Sequence, residues 1–196
     1  MLLLVSWFGS AAAATFTVNR TGDAADKRLG DGACDASRDK GKQCTLRAAI
    51  QEANHTSGAD RINCNIRSET NVKTISPARP LPAITEAVTV DGYSQGSKTA
   101  ANSDDAKPNT LAHGHDAVLK IQLSGANAGD GVAGITVTGA DSTIRGLVTN
   151  RFRGGGVVLE GAGATNNEVQ GNFIGTDAPG TRRLGNNSDT FEGYGV

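Results

Sequence analysis

The densest set of proton-moving groups in the chain lies at residues 104–116, which hold Asp104, Asp105, His113, His115 and Asp116. Glycoside hydrolysis needs one carboxyl group held protonated as acid and a second, ionised one as base or nucleophile, placed on either side of the scissile bond. Asp104 and Asp105, with the His-Gly-His that follows, could supply such a set. They fall in a polar excursion (94–116) without hydrophobic periodicity, and apart from Lys120 no Arg or Lys follows closely on an adjacent strand to hold an acidic sugar. A solvated loop accounts for this composition more simply than a catalytic centre.

A second chemistry is calcium-assisted β-elimination, with an arginine as base. Arg145 is its candidate, and Arg151 and Arg153 lie close by, but Asp141 and Glu160 are the only acidic partners near them. A third is calcium binding by Asp23, Asp26, Asp31 and Asp35 in "TGDAADKRLGDGACD". Oxygen ligands of this kind suit calcium, so calcium is a candidate cofactor, yet the spacing does not follow the EF-hand loop and turn-forming aspartate explains it better. Asn19, Asn54 and Asn186 match N-x-S/T, the acceptor pattern for N-glycosylation.

These residues must be positioned by a chain poor in aromatics (4%) and rich in glycine, with 26 in 196 residues. The net charge is −1 and no basic stripe is present, which excludes phosphate-backbone binding and so nucleic acid. The apolar run Leu2 to Phe8 is too short to span a bilayer, so no transmembrane helix is expected. Residues 1–14 resemble a truncated secretory signal with Ala12-Ala13-Ala14 as its cleavage site, which predicts a mature chain starting near Thr15.

Among the three cysteines, Cys34 and Cys44 are the natural pair for a disulfide, closing a polar loop with little apolar material to hold it in place. No C-x-x-C or adjacent His–Cys set supports zinc. Cys64 shares a strand face with Ile62 and Ile66 and is expected to be a buried free thiol.

One helix is predicted, at about 45–54. Leu46, Ala49, Ile50 and Ala53 form its apolar stripe, Arg47, Gln51 and Glu52 its wet side, Thr45 its N-cap, and Asn54 a left-handed stop. The rest alternates as short strands: "TFTVN", "DRINCNI", "LPAITEAVTVDG" and "AVLKIQLSG", the last with Leu119, Ile121 and Leu123 facing in and Lys120 and Gln122 facing out. "GITVTG" at 134–139 recurs as "GVVLEG" at 156–161, and "STIRGLVTN" at 142–150 is answered by "NEVQGNFIG" at 167–175, matching Ile144 to Val169 and Thr149 to Ile174. Short repeats of this length predict a parallel β-solenoid, an all-β architecture, with the helix laid as a lid over its open end.

"DGACDAS…QCTLRAAIQEAN" followed by "LPAITEAVTVDGYSQG" and "VQGNFIGTDAPGT…GNN" resembles the bacterial CSLREA-domain proteins. Cys44, Thr45, Leu46, Arg47, Ala49, Ile50, Ala53 and Asn54 match their motif, and Ala48 departs from it, where the family has the glutamate of a capping box. The resemblance implies a right-handed parallel β-helix of the pectin-lyase-like type, with an N-terminal cap over 15–80, coils over 81–196, and further coils beyond Val196. It also implies a secreted or surface-attached bacterial protein, a scaffold for adhesion or for contact with a polysaccharide or cell-surface glycan. The enzymatic alternative is a polysaccharide lyase or glycoside hydrolase acting on uronate glycans, which fold analogy alone does not transfer.

Overall fold

The computed structural model describes residues 12–67, 71–96 and 105–186. In chain order its elements are β1 (Thr15–Val18), α1 (Leu46–Ala53), β2 (Asp60–Cys64), β3 (Lys73–Ile75), β4 (Val88–Asp91), β5 (Ile121–Ser124) and β6 (Ile135–Val137). There follow β7 (Thr143–Arg145), β8 (Leu147–Asn150), β9 (Val157–Leu159), β10 (Glu168–Gln170) and β11 (Phe173–Ile174). Among the described residues every pairing between these strands is parallel, and the antiparallel bridges Lys107–Val118 and Thr176–Arg183 lie outside them. The sheets are five-stranded (β1-β2-β4-β7-β10), four-stranded (β11-β8-β5-β3) and two-stranded (β6-β9).

Alternation along each strand of the five-stranded sheet separates two faces. One face carries an apolar row, Phe16–Ile62–Val90–Ile144–Val169, in which each residue pairs with the next. The first four are buried, and Val169 packs half-buried against them. Ile75, Leu123 and Leu147 of the four-stranded sheet and Ile135 and Val157 of the two-stranded sheet close the same core. The other face carries the polar rows described below.

The expected all-β, right-handed parallel β-helix is corrected by this architecture. The structure is mixed, with five- and four-stranded parallel sheets and a helix that belongs to the core. Neighbours in the large sheet are reached by unequal steps along the chain. Phe16 pairs with Ile62, Ile62 with Val90, and Val90 with Ile144, and only the last step, Ile144 to Val169, matches the repeat read in the sequence. The local correspondences hold as strand pairs: Thr149 faces Ile174, and Ile135 and Val137 face Val157 and Leu159.

α1 is not a lid with one wet side. Arg47 and Glu52, expected in water, are buried along with Leu46, Ala48, Ala49, Ile50 and Ala53. The reason is the 20–43 segment, which folds back over the helix and supplies polar partners. Arg47 donates from Nε and Nη2 to the Asp23 carboxylate and from Nη1 and Nη2 to the carbonyls of Pro80 and Arg79. Glu52 accepts from the backbone N–H groups of Gly30 and Gly32 at 2.8 and 3.1 Å.

Thr45 does cap the helix, accepting from the Ala48 N–H at 3.1 Å. Ala48 is fully buried, so the position where the motif carries glutamate is filled here by packing. Asn54 ends the helix in a right-handed conformation (φ −70°, ψ −10°), not a left-handed one, because its amide is engaged elsewhere: Nδ2 donates to the Ala83 carbonyl and Oδ1 accepts from Thr85 N–H. Cys34 and Cys44 form a disulfide, and Cys64 is buried and free.

Lys120, expected to face out, is buried at 3% exposure and donates from Nζ to Asn71 Oδ1. Among the described residues no helix is long and apolar enough to cross a membrane.

Candidate functional site

The polar face of the five-stranded sheet carries two rows that the strand register lines up. One runs Thr15–Arg61–Thr89–Thr143–Glu168, and the other runs Thr17–Asn63–Asp91–Arg145–Gln170. Asp91 sits near the middle. Its side chain is 7% exposed, and its Oδ2 lies 2.6 Å from Arg145 Nη2 and 3.2 Å from Arg61 Nη2. Two guanidinium groups therefore share one carboxylate, a local excess of positive charge, and Glu168 at the far end of the first row is the acidic side chain that balances it on this face.

The wall over this floor is built by the turn after β4 and by the polar excursion. Asp91 Oδ1 accepts from Tyr93 N–H at 3.1 Å, which starts a single 3-10 turn over Gly92–Ser94 and brings the Tyr93 ring over the sheet. Tyr93 then donates through its hydroxyl to the Gly171 carbonyl at 2.7 Å. Across from it, Ala106 N–H donates to the Gln95 carbonyl, and Lys107 and Val118 exchange backbone bonds. Asp116 holds that loop by accepting from Thr110 N–H, Thr110 Oγ1 and Lys107 Nζ; these bonds, Thr110's backbone bond first, lower its pKa to about 2.

The groove between floor and wall is open to solvent and has two adjoining hollows. The larger, about 460 Å³, is bordered by Arg61, Asn63, Asp91, Tyr93, Pro108 and Arg145. The smaller, about 250 Å³, shares Tyr93, Pro108 and Arg145 and continues to Gln170 and Gly171. Arg145 Nε and Asn63 Oδ1 are buried there without a hydrogen-bond partner among the described residues.

The electrostatics suit holding an anion and oppose removing a proton. The hydrogen bond that Arg145 donates to Asp91 raises the Arg145 pKa above its already high ordinary value, so this guanidinium stays charged. Burial, ahead of any charge effect, raises the Tyr93 pKa as well, so its phenol stays protonated. Asp91 accepts from both Arg145 and Arg61, so its carboxyl group is already engaged by two cations.

Of the residues singled out in the sequence, Arg145 alone lies on the groove floor. Asp104 lies outside the described residues, and so does the apolar part of the signal-like segment, Leu2 to Phe8. Asp105 stands beside Gly96 with Oδ1 buried and unpartnered among the described residues. His113 is exposed, and His115 makes an edge contact with the Phe173 ring at 5.2 Å, away from the Arg145 set. The hydrolase constellation is thus not assembled among the described residues.

Arg151 and Arg153 follow β8 in the four-stranded sheet, and Arg153 pairs with Asp130 at 2.5 Å. Asp141 meets Asn166, and Glu160 follows β9. The elimination set is scattered over three sheets.

The four calcium candidates each have local work. Asp23 pairs with Arg47, and Asp26 accepts from Arg28 and Asp35 N–H. Asp31 accepts from Ala33 N–H, and Asp35 from Ser37 and Gln43 N–H. Among the described residues no group of three or more His, Cys, Asp or Glu side chains is placed to hold a metal ion. The three sequon asparagines all use their side-chain amides inside the fold: Asn19 with Lys42 and Cys44, Asn54 with Ala83 and Thr85, Asn186 with Thr149 and Phe152.

Sequence reasoning missed Arg61, Asn63, Asp91, Tyr93 and Gln170. The available signal was that each of the first three occupies the outward phase of a short alternating strand. Their convergence depended on register. No family model, curated protein or solved structure matches the chain.

Proposed function

We propose that this chain is an exported bacterial surface protein that contacts an acidic glycan through the groove on the five-stranded sheet and does not cleave it. The observation that carries this reading is the sharing of Asp91 by Arg61 and Arg145, with the Arg145 pKa raised. A sugar carboxylate fits beside a cationic pair already held in place, and the Tyr93 and Pro108 rings offer flat apolar surface for a pyranose face. The open, shallow groove suits a chain lying along it. The likeness of residues 44–54 to the CSLREA motif and the Cys34–Cys44 disulfide support export into an oxidising compartment.

Affinity electrophoresis in gels containing polygalacturonate, alginate or a neutral glucan tests the reading. The protein is expected to be retarded by an acidic glycan only. Arg61→Ala, which removes a half-exposed cation, is expected to lose most of that retardation, and added salt should weaken it. Absorbance from unsaturated uronate should stay flat. Equal migration in all gels, or product accumulating with time, overturns the proposal.

A further inference from the structure

Asp60, the first residue of β2, is 1% exposed. Its Oδ2 accepts from the Thr56 hydroxyl, and its Oδ1 accepts from the backbone nitrogen of Ala14 at 2.7 Å. Among the described residues no cationic side chain pairs with it: the five ion pairs involve Asp23, Asp91, Asp116 and Asp130 only. The adjacent Arg61 turns to the other face, toward Asp91. A carboxylate taken out of water without a cation is costly, and two neutral donors offset only part of that cost.

Ala14 is tied in from its other side too. Its carbonyl accepts from Arg61 N–H at 2.9 Å, extending the β1–β2 ladder, and its methyl packs half-buried against the main core. Ala12 and Ala13, by contrast, are exposed. The boundary between exposed chain and chain the fold uses therefore falls between Ala13 and Ala14.

We propose that the mature chain begins at Ala14 and that its α-ammonium forms a buried ion pair with Asp60. This rests on the export reading and moves the processing point one residue upstream of the Ala12-Ala13-Ala14 cut. The small residues a leader peptidase requires are then Ala11 and Ala13. In the hydrolysis, water adds across the Ala13–Ala14 amide: its hydroxyl goes to the Ala13 carbonyl carbon, which leaves as carboxylate, and the freed Ala14 nitrogen takes up protons to become ammonium. The nitrogen that donates one neutral hydrogen bond to Asp60 then faces it as a cation. A cut after Ala14 would leave Asp60 Oδ1 without this donor and Arg61 N–H without its acceptor.

The test is to secrete the full chain from a bacterial host and read its N-terminus by intact mass and terminal sequencing. Ala14 is expected. A start at Thr15 or later overturns this assignment while leaving export standing, and a retained leader overturns both. Ala13→Leu leaves Ala12 and Ala14 as the flanking small pair and directs release at Thr15, giving a mature protein that lacks Ala14 alone. Its thermal midpoint is expected to fall by about 3 °C or more. Equal midpoints overturn the ion pair.

Discussion

Arg145 Nη2 lies 2.6 Å from Asp91 Oδ2, across two parallel strands at a position where the two residues pair in register. Asp91→Ala would leave Arg61 and Arg145 facing each other and take the acceptor from Tyr93 N–H. Part of the charge is solvent-screened, so the expected loss is about 2–4 kcal/mol rather than the full value for a closed pair. A shift in the urea midpoint checks it. Asp91→Asn keeps an acceptor for the turn and should lose less.

Glu52 gives stability a pH dependence of defined sign. Burial is the largest effect on its carboxyl and raises the pKa, outweighing the opposing Gly30 and Gly32 hydrogen bonds. The folded state therefore holds its proton more tightly than the unfolded state does. Its contribution is greatest below the ordinary value of 4.5 and falls as pH rises through that value and the folded one. Glu52→Gln does not titrate and loses one of the two backbone bonds, a cost of about 1–2 kcal/mol. The advantage of the native protein over this variant is expected to shrink as pH rises from 4 toward 7. Parallel urea titrations at several pH values measure it, and an advantage that grows with pH would refute the assignment.

Cys64 should behave as an inert thiol. It is buried beside Asp91 on the sheet, and burial pushes its pKa up to about 12. Native protein is expected to show no reaction with an alkylating reagent at pH 8, and one labelled cysteine after denaturation without reductant. Labelling of Cys34 or Cys44 under the same conditions would show the disulfide absent. Replacing both by serine should cost about 2–3 kcal/mol by loosening the unfolded chain's restraint.

Gly92 marks a place where two backbones nearly touch. A Cβ built there would lie 2.1 Å from the Gly146 carbonyl oxygen, which belongs to the backbone and cannot move aside as a side chain could. Gly92→Ala is expected to cost about 1–3 kcal/mol and to displace the Tyr93 turn. Thermal unfolding gives the first effect, and the loss of glycan retardation in a protein that remains folded gives the second.

Much of the local structure was legible because its causes are local. The Thr45 cap, the Leu46–Ala49–Ile50–Ala53 stripe and the pairing of Cys34 with Cys44 follow from side-chain chemistry and short spacing. The burial of Arg47 and Glu52 was not legible. Helical periodicity puts both opposite the stripe, and only the returning 20–43 segment, with Asp23 and the Gly30 and Gly32 amides, makes that side an interior.

By itself the sequence determined the strand phases. Phe16, Ile62, Val90 and Ile144 had to face one way and Arg61, Asp91 and Arg145 the other, because alternation is a property of each strand alone. It also determined the repeat that sets Ile144 against Val169. Tertiary structure decided which strands became neighbours across the long, unequal connections, and so whether the expected uniform stack formed. It also decided that Arg61 and Arg145, distant in the chain, should close on one carboxylate. A parallel pairing carries no signature in either strand's own residues. The groove exists because register, set by the whole core, brought three separately polar positions together on one face, in two adjacent rows.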